Sequence, residues 1–120
     1  MSDHLEVIAG LVMELRRGVI VLGVLSQMEE PAYGYALMQR LEERGLPVDA
    51  GTLYPLLRRL EKQKLLRSDW ETSGPKPRKY YVLSETGRAV YHQLSEEWSH
   101  LAATMEQLLH EKEQKSDDHD

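Results

Sequence analysis

Between Arg58 and Lys79 the chain sets eight basic residues (Arg58, Arg59, Lys62, Lys64, Arg67, Lys76, Arg78 and Lys79) against three acidic ones (Glu61, Asp69 and Glu71), a local balance of +5. Clustered guanidinium and ammonium groups neutralise phosphates and release their counterions. With a net charge of -5 the remaining chain carries -10, which discourages indiscriminate sticking. Hydroxyl groups able to bond phosphate or base edges accompany the cluster: Thr52 and Tyr54 in GTLYPLLRRLEKQKLL, and Tyr33 and Tyr35 in AYGYALMQRLEERGL.

Other chemistries lack their residues. Cysteine is absent, which excludes a disulfide scaffold, a thiol nucleophile and a Cys-based zinc site, and fits a reducing cytoplasm. His92, His100 and His110 stand 8 and 10 residues apart and do not converge on one chain. Glu96 with His100, an i, i+4 pair, reads as a solvated surface pair rather than a metal site. With no Ser-His-Asp order, phosphate-cradling glycine loop or paired carboxylates, the expectation is no enzyme, no metal and no cofactor. The apolar run Val19 to Leu25 is too short to span a bilayer and lacks a cleavage site after it, so neither a membrane partner nor secretion is expected.

The basic cluster needs elements to present it. Leu5, Ile8, Leu11, Val12 and Leu15 have helical spacing, and VIVLGVLSQM continues as an apolar segment. One helix bent near Gly18 or two helices meeting there both fit, the second half lying in the core and ending at Glu30-Pro31. A helix near 33 to 44 stops at Gly45. After LPVDA, the stripe Leu53, Leu56, Leu57 and Leu60 marks a second helix, making a helix-turn-helix candidate. RSDWET and RKYYVL favour strands, and Ser73-Gly74-Pro75 between them turns the chain into a two-stranded hairpin with a basic tip.

Ser84 reads as the N-cap of a final helix running to about Lys112. Along it Val90, Leu94, Trp98, Leu101, Met105 and Leu108 follow a heptad seam, which calls for pairing with a second chain. The expected fold is mainly α with a small two-stranded β-wing: a winged helix-turn-helix over residues 1–83, a dimerisation helix over 84–113 and a polar tail over 114–120.

In such a fold the second helix of the motif meets the major groove and the hairpin follows the backbone. Thr52 and Tyr54 then face DNA, or else Thr52 caps the helix and Tyr54 packs on the wing. Arg58, one turn after Tyr54, is the better placed of the two arginines. Lys76, Arg78 and Lys79 at the Pro-flanked tip suit phosphate contacts, Tyr80 and Tyr81 suit strand packing, and Lys62 and Lys64 read as surface charges. Tyr33 and Tyr35 open the first helix of the motif, where a backbone contact or, for Tyr35, core packing fits. Pro55 is tolerable if Thr52 caps the helix, or, if the helix starts near Asp49, because Gly51 leaves room for the ring.

YGYALMQRLEERG, GTLYPLLRRLEKQKLL and GPKPRKYYVLSETGRAVY resemble, in order and spacing, the signature segments of PadR-like transcriptional regulators. The resemblance covers nearly the whole chain. It implies a homodimeric winged-helix repressor whose C-terminal helix crosses to its partner, in the short subclass with a single helix after the wing. Small multidrug-sensing members are similar around EEWS, which implies ligand binding at Trp98; packing of that residue in the dimer core is the alternative. Double-stranded DNA, a second copy of the chain and a small-molecule effector are therefore the expected partners. The competing possibility is a winged-helix protein-interaction module that no longer binds DNA.

Overall fold

The computed structural model describes the backbone of residues 2–118 and the side chains of residues 4–111. Seven elements follow in the order α1 (Ser2–Ser26), β1 (Ala32–Tyr33), α2 (Gly34–Glu43), α3 (Ala50–Lys62), β2 (Leu66–Glu71), β3 (Arg78–Leu83) and α4 (Glu85–Asp118). The apolar segment after Gly18 continues α1 without a second helix, and the helix stops at Ser26, ahead of Glu30-Pro31.

Only the C-terminal part of α1 enters the core. Val24 and Leu25, with Met28 just beyond, pack against Leu37 and Leu41 of α2, the Leu53, Leu56, Leu57 and Leu60 stripe of α3, and Leu66, Tyr81 and Leu83 of the sheet. Burying each such leucine contributes about 1.5 to 3 kcal/mol, so the α3 stripe alone fixes which side of that helix remains outside.

The expected hairpin is present, and a third strand extends it. The sheet order is β1-β3-β2, all antiparallel, with Tyr33 opposite Tyr80 and Ala32 opposite Tyr81. A two-residue strand leaves no periodic signal of its own and exists only through its distant partner.

Two helices end by the same device. At α2, Gly45 has φ +89°, its N–H bonds the Glu42 carbonyl, and the Leu46 N–H returns to the Leu41 carbonyl. At α3, Lys64 holds the left-handed position with φ 65°, its N–H bonds the Glu61 carbonyl, and the Leu65 N–H returns to the Leu60 carbonyl. Lys64 is thus a helix-terminating residue whose backbone carries its role.

Ser84 caps α4 as its sequence position suggests: its Oγ accepts the Gly87 N–H at 2.9 Å. The same hydroxyl donates to the Lys64 carbonyl at 2.7 Å, and the Ser84 N–H reaches the Leu65 carbonyl at 3.0 Å. The end of α3 is thereby stitched to the start of α4. Past the expected stop near Lys112 the α4 backbone stays helical to Asp118, so residues 114–118, expected as a tail, continue the helix; the last two residues lie outside those described. No helix among the described residues is long and apolar enough to cross a membrane.

Candidate nucleic-acid interface

The burial of Leu53, Leu56, Leu57 and Leu60 turns the opposite side of α3 outward. With about 3.6 residues per turn, Gly51, Pro55, Arg58 and Lys62 form one exposed stripe, flanked by Thr52 and Arg59. Lys62, read from sequence as an ordinary surface charge, stands in line with Arg58. The spacing 51, 55, 58, 62 mirrors the buried stripe.

Asp49 is the N-cap of α3, so Thr52 lies inside the helix and its hydroxyl does not cap it. Pro55 consequently sits in the second turn, where its missing N–H leaves the Gly51 carbonyl without its helical partner. Both residues are exposed, so water can satisfy that carbonyl, and the absent Gly51 side chain leaves the turn uncrowded. Of the two accounts of Pro55, the one with the helix starting near Asp49 holds.

Tyr54 lies on the other flank of the exposed stripe, one turn before Arg58. It is half-buried, and its ring lies so close to Gly34 at the start of α2 that a Cβ there would stand 2.5 Å from Cε1. The ring therefore packs on the first helix of the motif, and the residue stays partly exposed. Tyr35 is 62% exposed, and its hydroxyl accepts a hydrogen bond from Gln39 Nε2 at 3.3 Å, so it takes no part in the core.

The three wing cations separate. Side chains alternate across a strand, so Arg78 and Tyr80 face one side of β3 while Lys79, Tyr81 and Leu83 face the other. Arg78 lies over the Tyr33 ring at 4.3 Å, and Tyr33 meets Tyr80 edge-on at 6.0 Å. Lys79 turns inward and donates to Glu61 Oε1 at 3.1 Å, while the Ser68 hydroxyl donates to Glu61 Oε2. The Ser68 hydrogen bond first, and Lys79 after it, hold the Glu61 carboxyl below its usual range against the opposing effect of burial. The bond to Glu61 raises Lys79 above the usual lysine value. Both groups are therefore charged at neutral pH. Lys76 stands exposed between Pro75 and Pro77.

Comparison with known proteins matches this arrangement. The family model for the transcriptional regulator PadR-like family fits residues 21–93, from the second half of α1 through the first turns of α4. The chain belongs to the PadR-like family of transcriptional regulators. A PadR family regulator from Eggerthella lenta is 46% identical, its crystal structure superimposing with a TM-score of 0.85 over 91% of this chain and 97% of that one. A PadR-like regulator from Bacillus cereus is 30% identical with a TM-score of 0.72, covering 80% of this chain and 96% of the other. A transcriptional regulator of Mycobacterium tuberculosis is 35% identical over 77 residues, 63% of this chain and 72% of its own length. This PadR-like protein is thus a DNA-binding regulator and not an enzyme.

The rest of this PadR-like chain carries a second feature. Outside the core, its exposed large apolar side chains fall on α1 and α4, apart from Tyr35 and Trp70. Leu94, Trp98, Leu101, Met105 and Leu108 are all exposed on α4, with Val90 half-buried at the base of the seam. Where α1 crosses α4, Leu15, Val19, Leu22, Leu94, Trp98 and Leu101 line a groove of ≈ 360 Å³, with Glu97 beside it. Trp98 is 47% exposed there. Among the described residues no group of three or more His, Cys, Asp or Glu side chains is gathered to hold a metal, and His110 pairs with Glu106 at 3.5 Å.

Proposed function

We propose that this regulator is a cytoplasmic homodimeric repressor that binds a pseudo-palindromic operator and releases it on binding a small planar aromatic effector. The observation that carries this reading is the pair of apolar seams left largely exposed on α1 and α4. On α1, Leu5, Ile8, Val12, Leu15, Val19 and Leu22 repeat at heptad spacing; on α4, Leu94, Trp98, Leu101, Met105 and Leu108 do the same. An apolar face this long on a small protein marks an association surface, and the two seams converge at the groove where a second copy's seam would fit.

On DNA, Arg58 and Lys62 with Thr52 enter the major groove, while Lys76 and Arg78 meet the backbone beside it. Tyr35, exposed at the head of α2, adds a hydroxyl for phosphate. Tyr33, Tyr54 and Lys79 support these groups from behind. Two copies place two such surfaces on one face of the duplex. Footprinting of the DNA upstream of the protein's own gene is expected to reveal two protected half-sites separated by roughly 34 to 36 Å or a multiple. An unprotected fragment at moderate salt would count against the operator reading.

The effector reading follows from Trp98. In a dimer two indole faces approach across the two-fold axis, a geometry that stacks a flat aromatic compound, and Glu97 at the rim favours a cation. A planar aromatic cation is expected to quench tryptophan emission in the wild type and to lose that effect in Trp98→Ala. Trp70 still emits in the variant, so quenching that persists there would place the ligand away from the groove.

A further inference from the structure

The acidic residue of α3 stands where it should do harm. Glu61 is the only carboxylate on the helix that presents Arg58 and Lys62, and a bare negative charge beside a phosphate-binding surface weakens it. Its surroundings account for it. Glu61 lies on the flank of α3 turned to the hairpin, one oxygen taken by Ser68 of β2 and the other by Lys79 of β3, so that it ties three elements together. The Lys79 ammonium is also 5.3 Å from the Tyr81 ring centre and 6.0 Å from that of Trp70. About a third of each paired side chain is exposed.

We propose that Glu61 is a positioning residue that sets the charge of the wing: it holds Lys79 as an internal ion pair against the recognition helix, leaving Lys76 and Arg78 as the wing cations that neutralise phosphate. This rests on the reading of the wing as a phosphate-contacting element. Strand alternation supplies the division, since Lys79 shares its face with the buried Tyr81 and Leu83 while Arg78 lies on the opposite face over Tyr33. A DNA phosphate that recruits Lys79 must compete with a carboxylate already aligned at 3.1 Å. Glu61 thereby keeps the sequence-independent part of the affinity low, which matters for a regulator that must leave DNA.

The test is the dependence of log K on log salt for the full-length protein and a fluorescein-labelled mixed-sequence duplex, because each phosphate neutralised contributes about 0.9 to the slope. Lys79→Met keeps the apolar stem and removes no phosphate contact, so it is expected to leave the slope unchanged, while the Glu61 carboxylate it leaves unpaired weakens binding at every salt concentration. Lys76→Ala is expected to lower it by about 0.9, whereas Glu61→Gln, which still accepts the Ser68 hydrogen bond, is expected to steepen it by about 0.9 and to tighten low-salt binding several-fold. In Glu61→Gln with Lys79→Met the gain should vanish. A lowered slope in Lys79→Met, an unchanged slope in Glu61→Gln, or a gain that survives in the double variant would each overturn the proposal. A flat response to Lys76→Ala would instead remove the phosphate role of the wing itself. Thermal melts of each variant identify any change that comes from unfolding.

Discussion

Replacing Gly87 by alanine is expected to destabilise the protein by about 1 to 3 kcal/mol, the range for forcing an extra methyl into a packed interior. Gly87 is buried in the first turn of α4, and a Cβ there would overlap the carbonyl oxygen of Leu65. That oxygen belongs to backbone rather than to a flexible side chain, and it accepts the Ser84 N–H and lies 3.1 Å from Ser84 Oγ. The methyl cannot be accommodated without parting α4 from the turn that ends α3. Gly10 offers the contrasting case: it is also helical, nothing lies within 4 Å of an added Cβ, and Gly10→Ala should stabilise by about 0.5 to 1 kcal/mol. Denaturant melts at one protein concentration compare the two. Equal stability of Gly87→Ala and wild type would show that the junction is slack.

The same junction matters for DNA. Because Ser84 and Gly87 fasten the start of α4 to the end of α3, the direction of the C-terminal helix is set relative to the exposed stripe of Arg58 and Lys62. Any dimer built on α4 passes that direction on to the separation of its two recognition surfaces. Operator affinity in Gly87→Ala should therefore fall even at temperatures where the variant is folded.

What could be read from the chain and what could not divides along range of interaction. The leucine stripe of α3, the Ser84 cap and the basic hairpin were legible because each is written within a dozen residues, in spacing, capping chemistry or turn composition. The partnership of Tyr54 with Gly34 was not, since it depends on how α2 crosses α3. Nor was β1, which exists only against Tyr80 and Tyr81. The divergence of Arg78 and Lys79 is a different case. Period-two alternation is plain in RKYYVL, and a strand there necessarily sends the neighbouring cations to opposite faces, so their separation follows from residue order alone. Lys64 shows a further limit, because its left-handed backbone is imposed by the tight passage from α3 into β2 and carries no mark in residue type.

Leu101→Glu is expected to separate the proposed dimer and, through it, to abolish tight operator binding. Leu101 is exposed at the middle of the α4 seam and also lines the groove beside Trp98. In a dimer joined along this seam, each copy would have to desolvate a carboxylate among apolar side chains. At about 2 kcal/mol for each of two chains, the dissociation constant of the dimer should rise about a thousand-fold. Ala103→Glu adds the same charge on an exposed position of the opposite face of α4 and should leave association unchanged. Sedimentation at micromolar concentration measures the first effect and titration with operator DNA the second. The core around Leu53, Leu57 and Leu83 does not involve Leu101, so helical content and the melting of the DNA-binding unit should survive in the monomer. A Leu101→Glu protein that still sediments as a dimer would exclude the seam as the interface. One that is monomeric yet binds its operator at wild-type strength would mean that a single recognition surface suffices, and the apolar seams would then need a purpose other than holding two of them in register.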